Sequence, residues 1–107
     1  MEKTINIGGK EVKLKANAMQ AIIFRSNFGR DILEVQASLM KLIDLNNDKT
    51  PFNLDGLKYL DSVGIVQIIW TMAKAADNTI PPLEQWLEEF ETFPIMDVFL
   101  DAYDLIL

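Results

Sequence analysis

The sequence predicts a mainly α fold, a small helical domain of about five helices with a two-stranded β-hairpin at its N-terminus. In segment 3–15, apolar and polar residues alternate on both sides of a Gly-Gly pair, which is typical of a hairpin. Segment 62–77, SVGIVQIIWTMAKAAD, is apolar except for one narrow stripe and predicts a central buried helix. The other apolar residues recur at helical spacing in segments that Gly, Asn or Pro residues separate.

Length and composition indicate one globular domain, residues 1–107, with the hairpin at 3–15 and the helical part at 17–107. Half of the 107 residues are hydrophobic, which is sufficient for one core. The sequence has no cysteine and no histidine, which excludes thiolate chemistry and imidazole catalysis. The N-terminal residues MEKTINIGG lack the apolar core of a signal peptide, and we therefore expect a cytoplasmic protein.

The predicted hairpin turns at Gly8-Gly9, because glycine adopts the positive φ angles that a two-residue turn requires. This register places Ile5 opposite Val12. The apolar residues then share one side of the hairpin, namely Ile5, Ile7, Val12 and Leu14. Since an isolated hairpin is only marginally stable in water, we expect this side to pack on the helices.

Two helices are predicted after the hairpin. The first runs from Ala18 to about Phe28, with Asn17 as its N-cap and Gly29 at its end. The second runs from Ile32 to about Leu45 with Asp31 as its N-cap. Its apolar stripe contains Ile32, Val35, Leu39, Leu42 and Ile43, and Leu33 and Met40 widen it. The break between the two helices is either a tight corner or a kink, and the residues leave this choice open.

The polar run NNDKTP at 46–51 predicts a loop, and Asn53 is a suitable N-cap for a short helix over 54–60. Ser62 is the expected N-cap of the central helix, which ends before Pro81-Pro82. The polar residues inside this helix fall on one stripe, namely Gln67, Thr71 and Lys74. The helix is shorter and more interrupted than the ~20 apolar residues of a membrane span, so no membrane association is expected.

The last two predicted helices lie on either side of a corner at Phe93-Pro94. Leu83–Thr92 reads as a surface helix with one apolar stripe, formed by Leu83, Trp86, Leu87 and Phe90. Ile95–Leu107 predicts the final helix, in which Asp97, Asp101 and Asp104 form the polar stripe. Its core row contains Ile95, Val98, Phe99, Ala102 and Ile106, and Met96, Leu100, Tyr103 and Leu107 widen it.

The net charge of −6 is unevenly distributed along the chain. Residues 1–30 contain six Lys or Arg and two Glu, whereas residues 75–107 contain eight acids and no Lys or Arg. The acidic end argues against binding to nucleic acid, whose phosphates require clustered cations. Two interpretations remain open. The acids form a solvated surface, or the basic end of one subunit meets the acidic end of the next in a homo-oligomer.

Paired carboxylates are the only candidates for metal binding or catalysis. Glu84 with Glu88, and Asp97 with Asp101, lie at i, i+4, where two acids can share a hard cation. The same spacing is typical of the wet face of an acidic amphipathic helix, and no EF-hand loop or histidine accompanies it. We therefore expect no metal site, no catalytic residues and no cofactor, and we predict that the protein is not an enzyme.

A binding surface for another protein is the remaining hypothesis, and the final helix is its best candidate. More than half of its circumference is apolar, and the candidate partner-binding residues are Met96, Phe99, Leu100, Tyr103, Leu105, Ile106 and Leu107. The alternative is that these side chains close the core, and this alternative is favoured for Phe99. For residues 105–107 the two interpretations are evenly balanced.

The order of elements resembles that of the small tail assembly chaperones of long-tailed, siphovirus-type bacteriophages and prophages. The hairpin TINIGGKEVKLK is followed directly by AMQAIIFRSNFGRDIL, as at the start of those proteins. The run IIWTMAKAADNTIPPLEQWLEEF adds an apolar helix with Trp, a Pro turn and a Trp-Leu-x-x-Phe helix. Together these segments cover about two-thirds of the chain. The NNDKTP loop and the final helix do not contribute to the likeness.

The resemblance implies a non-catalytic role in virion assembly in the cytoplasm of the bacterial host, with the chaperone absent from the mature virion. Such proteins bind the tape measure protein and help tail tube protein subunits to polymerise around it, and members of the family self-associate. In many phages a longer product arises by frameshifting near the end of the short form. The main alternative is a small phage or host regulatory adaptor, a protein-interaction domain of another class.

Overall fold

A two-stranded hairpin and five helices make up the part of the chain that the structure, a computed structural model, describes, residues 1–42 and 61–107. This confirms the predicted mainly α class with an N-terminal hairpin. In chain order the elements are β1 (Glu2–Ile7), β2 (Lys10–Lys15), α1 (Gln20–Phe28), α2 (Ile32–Leu42), α3 (Ser62–Ala76), α4 (Leu83–Leu87) and α5 (Ile95–Ile106). The predicted end of the second helix at Leu45, the loop 46–51 and the short helix 54–60 lie outside the described residues.

The hairpin has the predicted register. Ile5 pairs with Val12 in an antiparallel ladder, and the turn residues Gly8 and Gly9 have φ angles of 57° and 91°. The Asn6 side chain accepts a hydrogen bond from the Gly9 N–H at 2.9 Å, which closes the turn. All four apolar residues on the shared side are buried, namely Ile5, Ile7, Val12 and Leu14. The hairpin therefore covers the helices with one face and leaves the other face to solvent.

Helix α3 lies at the centre of the core, with β2, α1 and α5 packed around it. Its buried positions run almost without interruption from Gly64 to Ala73. The predicted polar stripe does not reach open solvent along its whole length, because Thr71 is fully buried. The Thr71 hydroxyl donates to the backbone oxygen of Gln67 at 2.8 Å, so its burial leaves no unmet hydrogen-bonding group.

The break between α1 and α2 is a corner rather than a kink. Gly29 ends α1 as predicted, in the left-handed conformation with φ 66°. Asp31 begins α2 as predicted, since its carboxylate accepts from the Leu33 N–H at 2.9 Å. The predicted start of α1 at Ala18, with Asn17 as its N-cap, was wrong. The helix begins at Gln20, and the Asn17 side chain instead closes a preceding turn by accepting from the Met19 N–H at 3.0 Å.

The N-cap of α3 is Asp61, and the prediction of Ser62 was wrong by one residue. The Asp61 carboxylate accepts from the Gly64 N–H at 2.7 Å and from the Arg30 guanidinium at 2.6 Å. Arg30 also donates to the Gln67 side chain at 3.1 Å. Asp61 therefore does more than cap the N-terminus of α3, because its bond with Arg30 ties α3 to the corner between α1 and α2.

Helix α4 is shorter than the predicted Leu83–Thr92 and ends at Leu87. Beyond it the backbone tightens, with the N–H groups of Glu89 and Phe90 donating to the carbonyls three residues earlier. The tighter turn brings the Phe90 ring edge-on to Trp86, with centroids 4.9 Å apart. Phe93 joins the same cluster at 5.6 Å from Phe90. We attribute the early end of the helix to this aromatic packing.

Replacing Gly64 by Ala should destabilise the protein by about 1–3 kcal/mol, although Ala is the better helix former. A Cβ at this position would lie 2.7 Å from the Val35 side chain and 2.7 Å from the Asp61 carboxyl carbon. Urea unfolding measures the change. Val63→Ala is the matched control, because Val63 lies in the same turn, is exposed and should tolerate Ala without loss. A more stable Gly64→Ala variant would contradict the close approach of α2 and α3.

The stability of the fold should fall at acid pH through Asp61. Partial burial raises the pKa of Asp61, but hydrogen bonds from Arg30 and Gly64 and the Arg30 charge lower it by more, to below the ordinary 3.8. The resulting stability is present above the unfolded-state pKa and is lost as the pH falls through the folded-state pKa.

Asp61→Asn tests this pH dependence. The variant should lose about 1 kcal/mol at neutral pH and show a shallower acid decline than the wild type. Urea unfolding at several pH values down to about pH 2 measures both effects. Parallel pH curves for the two proteins would show that the Asp61 carboxylate is not responsible.

Candidate functional site

The structure divides the seven candidate partner-binding residues of α5 into two groups. Phe99, Leu105 and Ile106 belong to the core, and Phe99 has no exposed surface at all. Met96 and Leu100 are half-buried, and Tyr103 and Leu107 are exposed. The three core residues contact no partner while the fold is intact, so the core interpretation of Phe99 is the one that the structure supports. Only the outer row of α5, formed by Met96, Leu100, Tyr103 and Leu107, remains as a candidate surface.

Helix α2 carries a second apolar row that the sequence reading assigned to the core. Its core row is Ile32, Val35 and Leu39, all buried. Leu33 and Met40 were expected to widen that row, but they are 68% and 53% exposed. Ala37, between them, is also exposed. At 100° per residue the outer row lies roughly 135° around the helix from the core row, too far to share its neighbours.

The outer rows of α2 and α5 meet at the end of α5. We call this surface the α2–α5 patch and define it by its exposed apolar residues Leu33, Ala37, Met40, Tyr103 and Leu107. A surface cavity of about 270 Å³ is lined by four of them and by Gln36. Tyr103 lies one turn before Leu107 on the same side of α5 and extends the patch along that helix.

A side-chain hydrogen bond holds the two helices together at the patch. The Gln36 amide donates to the backbone oxygen of Ile106 at 2.7 Å, which satisfies a carbonyl in the last turn of α5. A second surface cavity, of about 340 Å³, continues from Leu33 and Gln36 to Ala18 and Ala21 beside α1. The end of α5 therefore borders a recess between α1 and α2.

The acidic end of the sequence folds against the basic end. Lys3 on β1 contacts Asp104 on α5 at 3.2 Å, and Lys10 contacts Glu89 at 2.7 Å. The Lys10 ammonium also lies 5.1 Å from the centroid of the Phe90 ring. Two lysines of the basic end thus pair within the chain. Association between the ends of different subunits stays a prediction.

Neither pair of spaced carboxylates belongs to a larger cluster of candidate metal ligands among the described residues. Within residues 1–42 and 61–107, no cluster of three or more Asp, Glu, His or Cys side chains is arranged to hold a metal ion. The Asp77 carboxylate accepts from both the hydroxyl and the N–H of Thr79, and these bonds lower its pKa. This residue ends α3 and lies outside the patch.

In the same described ranges, no helix combines the length and apolarity that a membrane crossing needs.

Comparisons of the chain with known protein families, with curated proteins and with solved structures find no match. The likeness to tail assembly chaperones therefore rests on the order of elements in the sequence. What the structure adds is the α2–α5 patch, of which the sequence reading found the α5 half and missed the α2 half. The available signal was the angular separation of Leu33 and Met40 from the core row.

Truncation of core and patch residues of α5 should separate their roles. Phe99→Ala should lower the free energy of unfolding by about 3–5 kcal/mol, because it removes a fully buried ring. Leu107→Ala should change it by no more than about 0.5 kcal/mol, because the side chain is exposed. Thermal and urea unfolding measure both variants. Equal losses would mean that the end of α5 belongs to the core and that the α5 half of the patch does not exist.

Proposed function

We propose that this protein is a non-catalytic tail assembly chaperone of a long-tailed phage or prophage, which binds the tape measure protein and promotes tail tube assembly. The observation that carries the proposal is the α2–α5 patch. Exposed apolar patches rimmed by polar residues are typical of surfaces that bind other proteins. The sequence resemblance supplies the class of partner, and the patch supplies a surface for it.

The geometry of the patch suits a helical partner. Leu33, Ala37 and Met40 follow one another at i, i+4 and i+7, the spacing with which one helix presents a ridge to another. The small Ala37 between two long side chains leaves a depression that a partner side chain would fill. Leu33 and Met40 are 68% and 53% exposed, so their burial would contribute at most about 1.5–3 kcal/mol each, and other contacts must help to offset the cost of association.

The acidic surface fits the task of keeping an apolar partner in solution. The chain has a net charge of −6, and the four acids of α4 and its following turn, Glu84, Glu88, Glu89 and Glu91, are exposed. Copies bound side by side on a long helical protein would cover its apolar seams and surround it with like charge, which opposes aggregation. Binding to the tail tube protein, self-association, action in the host cytoplasm and absence from the mature virion belong to the same proposal.

Co-expression with the tape measure protein of the same genome tests the proposal. The wild type should yield a soluble complex with many copies of this chain per partner, measured by pull-down and light scattering. Leu33→Ser/Met40→Ser should weaken the complex at least about tenfold, since it removes the apolar anchors of the patch.

Val63→Ser is the matched control for the patch variant. Val63 is a large exposed apolar residue at 60% exposure, but it lies in the first turn of α3 and not in the patch. It should leave the complex intact. A tape measure protein that stays insoluble and unbound beside the wild type would refute the chaperone proposal. An intact complex with the patch variant would place the binding surface elsewhere.

A further inference from the structure

We infer that the α2–α5 patch takes an amphipathic helix whose apolar stripe is bordered on one side by Lys or Arg. The inference rests on the proposed function in treating the patch as the docking surface, and it adds the chemistry of the partner. Three features of α5 carry it. They are the outer apolar row, the acidic row beside it, and the two acids of that row that form no ion pair with a described residue.

The acidic row of α5 runs directly beside its outer apolar row. Asp97 and Asp104 lie three and four residues from Leu100, and Asp104 lies three residues from Leu107. Residues at these spacings are neighbours on a helix surface. Asp101 lies roughly 40° further around the helix than Asp97, on the side away from the outer apolar row. A helix that docks along the outer row therefore has carboxylates along one flank.

Two of these acids have no ion-pair partner in the part of the chain that the structure describes. Asp104 is paired with Lys3 on β1, at 3.2 Å. Asp97 and Asp101 are exposed, and neither forms an ion pair with any residue in 1–42 or 61–107. Lys10 on β2 also reaches the acidic end of the sequence, where it pairs with Glu89 at 2.7 Å. The charge beside the outer row is thus left for a partner to complement.

The spacing of the acids specifies where the partner's cations lie. Asp97 and Asp101 are four residues apart in α5, which is roughly 6 Å along the helix axis at 1.5 Å per residue. A partner helix packed nearly parallel or antiparallel to α5 would meet them with Lys or Arg at i and i+4. A partner with acids on that flank would be repelled, so the row selects among apolar helices.

Designed peptides test this selectivity directly. Two helical peptides of about 20 residues would carry the same Leu and Met stripe, one with Lys and one with Glu at the flanking positions. Fluorescence anisotropy at low and at high salt measures their binding to the full chain. We expect the Lys peptide to bind about three- to tenfold more tightly at low salt and the preference to shrink at high salt.

Two charge variants identify the responsible acids. Asp97→Asn/Asp101→Asn should abolish the preference for the Lys peptide while leaving binding of the Glu peptide unchanged or stronger. Glu84→Gln/Glu88→Gln removes the same charge at the same spacing from α4 and its C-cap and should keep the preference. Leu33→Ser/Met40→Ser should weaken both peptides. Melting curves of each variant confirm that the fold is retained.

Each alternative outcome has a definite meaning. Equal binding of the two peptides, or loss of the preference in Glu84→Gln/Glu88→Gln, would overturn the inference, the latter because net charge alone would then explain the selectivity. A tape measure complex without selective peptide binding would overturn the inference and leave the chaperone proposal standing. Selective Lys peptide binding at the patch without a tape measure complex would refute the chaperone proposal and retain the basic helical partner.

Discussion

The burial of α3 is the constraint on which the rest of the described structure depends. Its side chains between Ile65 and Ala73 are apolar on nearly every face, so the helix requires neighbours on all sides. The hairpin is one of those neighbours, and each element needs the other. A two-stranded hairpin is marginally stable alone, and its buried face of β-branched and leucine side chains is stable only against α3 and α5. The mainly α core is therefore completed by a β element.

The same packing decides what the charge gradient does. Because β1 lies beside α5, Lys3 at the basic start of the sequence pairs with Asp104 at the acidic end. Lys10, at the start of β2, pairs in the same way with Glu89 in the turn after α4. Exposed pairs of this kind contribute little to stability, typically about 0–1 kcal/mol. Their main effect is on the charge of the surface. Lys3 and Lys10 are paired with Asp104 and Glu89, whereas Asp97 and Asp101, next to the outer apolar row of α5, form no ion pair with a described residue.

Helix α2 shows how a core helix also forms a surface. Two contacts in the middle of α2 fix its position, namely the close approach of Val35 to Gly64 and the Gln36–Ile106 hydrogen bond. The Arg30–Asp61 pair sets the corner from which it starts. With these contacts in place, its second apolar row stays largely exposed beside the end of α5. Exposed Leu and Met side chains of this kind are unfavourable in isolation, which is why we connect them with binding.

The sequence by itself determined the elements whose signals are local. Alternation around Gly8-Gly9 fixes the hairpin register, and the positive φ of Gly29 and the capping by Asp31 fix the corner between α1 and α2. The tertiary structure decided everything that depends on a distant neighbour. Asp61 and Ser62 are both capping residues, and the choice follows from the reach of Arg30. Each row of an apolar helix becomes core or surface according to the element that packs on it, and the periodicity of the helix does not identify that element. Leu33 and Met96 were each predicted to widen a core row, yet Leu33 is exposed and Met96 packs against the core.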